Sequence, residues 1–137
     1  MPGNLSPIFS KIGKIGFAPA IVLANIAKDG TGTVDVVFTT DATNGSFLQK
    51  LKIRPKGANV ASVLRIFLNT GGVTTTAANN TLLDEISLPA TALTEVAAIA
   101  GFEYPVNLAL PAGYRAFVTL GTAVAGGYAV TGIGGDY

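Results

Sequence analysis

A chain of 137 residues, 49% of them hydrophobic, has the size of one domain around one core, and its 12% charged residues and net charge of +1 give no global pull toward nucleic acid or an anionic membrane. It has no cysteine and no histidine, which excludes disulfides, thiolate and imidazole metal sites and the Ser-His-Asp and Cys-His arrangements. No cofactor, metal or enzymatic activity is expected, and so much apolar surface under so few charges predicts coverage by sister subunits or a partner.

The 17 glycines and 7 prolines, set between short β-branched runs, predict an all-β domain. Residues 1–16 read as an extended N-terminal arm, with the β-domain spanning 17–137. Pro2, Gly3, Pro7, Gly13 and Gly16 punctuate Ile8, Phe9, Ile12 and Ile15, a pattern that forbids a regular helix but can dock on a partner or fold back on its own domain. The apolar run 15–27 behind Lys11 and Lys14 has the outline of a signal peptide, yet Pro19 interrupts it and it is too short to span a bilayer, so a buried strand is expected. Strands at 17–27 and 33–40 are expected to form a hairpin through Lys28-Asp29-Gly30.

Asn44-Gly45 signals a turn into a strand at 47–54. The strand at 60–69 places Val60, Ser62, Leu64, Ile66 and Leu68 on one face and Val63, Arg65 and Phe67 on the other. Apolar groups on both faces predict a central strand covered twice, by a second sheet or a neighbouring subunit. Residues 70–80, TGGVTTTAANN, read as an exposed loop tip, 82–88 as a strand that stops at Pro89, and 90–100 as a loop with room for a turn of helix.

A strand at 103–110 leads into Leu110-Pro111-Ala112-Gly113, whose proline and glycine suit the second and fourth positions of a type I turn. The apolar tail 116–135 is long enough for a membrane span, but its glycines and its alternation about Gly126-Gly127 predict a pair of strands. Eight or nine short strands at this spacing point to a two-sheet antiparallel β-sandwich, with the jelly roll as one form of it.

Few residues are arranged for chemistry. Asp84 and Glu85 are neighbours on a strand and point to opposite faces, so they cannot share one substrate bond. The glycines at 126–127 and 132–135 lack the lysine, the spacing and the following helix of a phosphate cradle. The one organised charge feature is Lys50, Lys52, Arg54 and Lys56, whose spacing of two puts all four on one face opposite Leu51 and Ile53. Two readings stand: a solvent-facing edge strand guarded by lysines, or a contact with an acidic protein surface. The final Tyr137 suggests a chain end packed on its own sheet or across a subunit boundary.

NLALPAGYRAFVTLGTAVAGGYAVTGIGGDY (107–137), with ISLPATAL (86–93) and the Gly/Pro-rich arm, resembles the head decoration or cement proteins of tailed bacteriophages. That resemblance implies a non-enzymatic β-structured subunit, commonly a homotrimer, made in the host cytoplasm and bound to the major capsid protein on the virion surface, where it stabilises the shell. The neck, baseplate and fibre proteins of phages share this style of strand, and a carbohydrate- or small-ligand-binding sandwich using Tyr104, Tyr114, Tyr128 and Tyr137 is a reading from another class. Contacts are expected at Ile8, Phe9, Ile12, Ile15, Lys50, Lys52, Arg54, Lys56 and Tyr137, with no direct nucleic acid or membrane partner.

Overall fold

A computed structural model describes residues 10–137, so Ile8 and Phe9 of the expected arm lie outside the described residues. Eight strands follow in order: β1 (Ile12–Ile21), β2 (Asp35–Thr39), β3 (Ser46–Pro55), β4 (Ser62–Asn69), β5 (Asn80–Leu88), β6 (Phe102–Leu110), β7 (Arg115–Leu120) and β8 (Tyr128–Asp136). They form two four-stranded antiparallel sheets, sheet A in the order β1-β8-β3-β6 and sheet B in the order β2-β7-β4-β5. This is the strand order of an eight-stranded jelly roll.

Alternation builds the core. In β3, Leu48, Leu51 and Ile53 point inward, and they meet Leu64 and Ile66 of β4, Val118 and Leu120 of β7 and Val130 of β8, all at most 1% exposed. Each such side chain contributes about 1.5–3 kcal/mol on burial. A bulge at Gln49 leaves Leu48 and Leu51, three residues apart, on the same inner face. The outer edge of β6 is broken by Pro105 and by Asn107 at φ 51°, and β1 carries Pro19, devices that blunt strand addition at an edge.

Several sequence expectations are corrected by this topology. β1 and β2 are not a hairpin, because β1 pairs with β8 in sheet A and β2 with β7 in sheet B. The tail strands β7 and β8 likewise lie in different sheets and do not pair with each other. A turn signal specifies a reversal, not the sheet into which the chain returns. Among the described residues, only β4 and β5 are consecutive strands that pair directly. The boundary expected between residues 16 and 17 falls inside β1, whose first residues pair with β8 and whose entry is fixed by Lys11 N–H donating to the Asp136 carbonyl. The turn near Pro111 sits one residue later than expected. Tyr114 N–H donates to the Pro111 carbonyl at 3.3 Å, and Gly113, at φ 81°, takes the third position of a type II turn. Segment 90–100 contains no helix, and the single 3-10 turn among the described residues is Ala77–Asn79.

Strand β4 is central and covered on both faces, as its composition requires, with the chain's own connection 22–34 lying over its outer side. Asn25 N–H donates to the Leu120 carbonyl, Arg65 Nη1 to the Asn25 carbonyl and Asn80 Nδ2 to the Asp29 carbonyl, which straps the connection over sheet B. Beneath it Phe67 and Phe117 stack with centroids 5.1 Å apart and planes 10° apart, both fully buried outside the main core. Among the described residues no helix is long and apolar enough to cross a membrane.

Candidate docking face

The connection covers the middle of the outer side of sheet B, and among the described residues sheet A presents the more open face. Alternation turns Lys50, Lys52 and Arg54 outward as Leu51 and Ile53 turn inward, and Lys56 continues the row just past the strand. The strand is not an edge, however: β3 lies between β8 and β6, so the reading of the basic row as guarding a free edge is overturned. Lysines placed outward on an interior strand protect no unpaired ladder.

Register brings residues distant in sequence side by side on this face. Phe17, Thr131, Lys52 and Glu103 stand abreast across all four strands, and Ile15, Ile133 and Lys50 form the adjoining row. Ile15 and Phe17 are 66% and 65% exposed. The face therefore divides into an apolar half on β1 and β8 and a cationic half on β3. Lys50 Nζ lies 3.3 Å from Glu103 Oε2, an exposed pair of little energetic weight. Lys56 Nζ donates to the Pro19 carbonyl at 3.0 Å, tying the cationic row to the end of β1. Lys52 and Arg54 make no ion pair among the described residues, and they border a shallow notch with Gly101, Phe102 and Glu103. A Cβ on Gly101 would come within 2.8 Å of Arg54 Cδ, so the arginine stem lies flat across the start of β6.

The other expected contact residues are dispersed. Ile12 is 66% exposed but shares its side of β1 with Lys14, opposite to Ile15. Tyr137 is half-buried, and its N–H donates to the Gly45 carbonyl. Nearby, Lys14 lies 3.2 Å from Asp136 Oδ1, and Ser46 Oγ donates to the same oxygen at 2.5 Å. Phe17 and Ile133, which the sequence reading did not single out, stand on the same face as Ile15 and Lys50. Their period-two spacing with Ile15 and Thr131 is legible in each strand, but their approach to the basic row depends on β8 inserting between β1 and β3.

The carboxylates are separated as their adjacency requires. Asp84 accepts from the Tyr104 hydroxyl at 2.8 Å, bridging the edge strands of the two sheets, while Glu85 accepts from Arg65 Nε at 2.9 Å on the outer side of sheet B. The Tyr104 hydroxyl, then the Glu85 N–H, hold the Asp84 carboxyl below its ordinary pKa, and burial together with Asp84 pushes the Tyr104 phenol up. No group of three or more acidic side chains that could hold a metal occurs among the described residues. The four tyrosines present no open stacking platform: Tyr128 is fully buried and Tyr104, Tyr114 and Tyr137 are half-buried.

Fold and face together define a jelly-roll sandwich with one strapped outer surface and one open, amphipathic one. No protein-family model and no curated protein matches the chain. Among solved structures, it is similar to a chain of the T13 particle of infectious bursal disease virus, with a TM-score of 0.35 and 15% identity over 98% of this chain and 36% of that one. It is also similar to the VP2 protein of the same virus in T=1 particles, with a TM-score of 0.35 and 16% identity over 96% of this chain and 36% of that one. The chain thus spans 36% of the length of each.

Proposed function

We propose that this protein is a non-enzymatic structural component of a virion, a decoration or cement subunit that docks on the outer surface of a capsid through the open face of sheet A. The observation that carries the reading is the juxtaposition of exposed Ile15 and Phe17 with Lys50, Lys52 and Arg54 on one sheet face. The apolar half supplies burial, and the cationic half selects an acidic partner surface and fixes the register of docking. The low overall charge of the chain suits a protein held in a contact lattice. The partner in this reading is the major capsid protein, the subunit binds as a homotrimer, and each bound copy stabilises the assembled shell by mass action, multiplied by multivalent attachment.

The test is gradient sedimentation with empty shells of the virus that carries the gene, alongside light scattering of the free protein. Wild-type protein is expected to travel with the shells, and a Phe17→Ser, Lys52→Glu, Arg54→Glu variant to remain at the top with its circular dichroism unchanged. Co-sedimentation by that variant would overturn the docking face, and failure of the wild type to bind would overturn the decoration role. A trimeric molar mass supports the proposed oligomer, and a monomeric one refutes it.

A further inference from the structure

At the end of the sandwich where β4 passes into β5, the loop 70–79 has an unequal use of its main-chain groups. Its carbonyls are taken from within: Gly72 O by Arg115 Nη2, Val73 O by Asn79 Nδ2 at 3.0 Å and Thr74 O by Asn80 Nδ2 at 2.8 Å. Its donors are not. Among the described residues, the main-chain N–H groups of Gly72, Val73, Thr74 and Thr75 make no hydrogen bond. These residues line a concavity together with Gly71 and Arg115.

Arg115 is half-buried there and has no carboxylate partner among the described residues. Its Nε and Nη2 are fixed on Asn69 Oδ1 at 3.2 and 2.9 Å, so the guanidinium is held in place by neutral acceptors while Nη1 makes no hydrogen bond. Asn69 is itself fully buried and donates to Asn80 Oδ1 at 2.8 Å, which makes the mounting rigid. A positioned cation without a counter-charge, beside a run of free N–H donors and the hydroxyls of Thr74 and Thr75, is complementary to an oxyanion.

We propose that this concavity is an oxyanion-binding site, with Arg115 as its anchor and the main-chain donors of 72–75 as its cradle, taking a phosphate, sulfate or carboxylate group of a ligand. It is independent of the face of sheet A and stands whether or not that face docks on a capsid.

The test is an amide NMR titration of the whole protein with inorganic phosphate, and separately with acetate, against sodium chloride of equal ionic strength. Saturable shifts confined to Gly72, Val73, Thr74, Thr75 and the Arg115 side chain are expected, with half-saturation in the millimolar range. The phosphate and acetate arms separate a tetrahedral oxyanion from a carboxylate. Arg115→Gln is expected to abolish saturation and Arg115→Lys, which keeps the charge and loses the fork, to weaken it by about tenfold. Uniform drift with ionic strength, saturation only at Lys50, Lys52 and Arg54, or unchanged binding by Arg115→Gln would overturn the site. Should Arg115→Gln fail to fold, the wild-type map decides the question alone.

Discussion

Replacing Gly132 by alanine should destabilise this protein through a single methyl group. Gly132 of β8 pairs directly with Gly16 of β1, and both look at β2, the strand that closes this side of the sandwich from the other sheet. A Cβ on Gly132 would lie 2.7 Å from the Val37 carbonyl oxygen and 3.1 Å from Phe38 Cβ. Neither neighbour can yield easily, since Phe38 is 1% exposed and β8 is held between β1 and β3. Overpacking of this kind costs about 1–3 kcal/mol. Alanine also narrows the unfolded ensemble, which returns about 0.4–1 kcal/mol. The net loss is about 1–2 kcal/mol, a fall in Tm of roughly 3–10 °C for a domain of this size. Gly13, on the neighbouring strand with nothing within 4 Å of its would-be Cβ, is the control, and Gly13→Ala should leave stability unchanged or raise it slightly. Urea denaturation reads both variants, and the m-value should stay constant while the midpoint moves. If Gly132→Ala matched the wild type, or Gly13→Ala cost as much, close approach of β2 would not be what this glycine pair provides.

The buried Asn59 holds the β7–β8 turn by donating to the Gly127 carbonyl at 3.1 Å and accepting from the Gly127 N–H at 2.8 Å. Asn59→Ala strands the buried Gly127 N–H, while the carbonyl keeps the Lys56 N–H at 2.9 Å, and should cost about 1–3 kcal/mol by chemical denaturation. Tyr104→Phe should lower Tm at neutral pH. Because the hydroxyl depresses the Asp84 pKa, its contribution is present above the ordinary value of 3.8 and is lost as pH falls through the lower folded value, so the two melting curves should converge there. Asp35 has the opposite sign: burial raises its pKa, so its charge opposes folding at neutral pH. Asp35→Asn should raise Tm at pH 7, with the gain fading as the wild-type carboxyl protonates toward pH 3.8.

Period-two alternation was enough to place β3 and its outward cations and to mark β4 as covered on both faces, because each depends only on neighbours along one strand, and the polar, small, Gly-containing composition of 70–80 was enough to find the exposed loop before β5. The Gly113 reversal was legible as a turn, and its register was not, because the hydrogen bond that fixes it forms with Tyr114 in the assembled sandwich. The candidate docking face was legible by halves. Ile15 and the row from Lys50 to Lys56 were each visible, but nothing in either stretch says that β8 lies between them.

The sequence by itself determined that the chain is all-β, built as two sheets, poor in catalytic groups and equipped with one row of cations. Tertiary structure decided the rest: that successive strands cross between sheets, that residues 22–34 cover the middle of one outer surface, and that the other is left more open with aromatic and basic groups side by side. The same pairing of Gly16 with Gly132 that seats β2 underneath also aligns Phe17 with Lys52 above. The reason is physical. A strand's side-chain alternation is a local property of the backbone, whereas its neighbours are chosen by burial and register summed over the whole sandwich, a sum to which residues far apart in the chain contribute on equal terms.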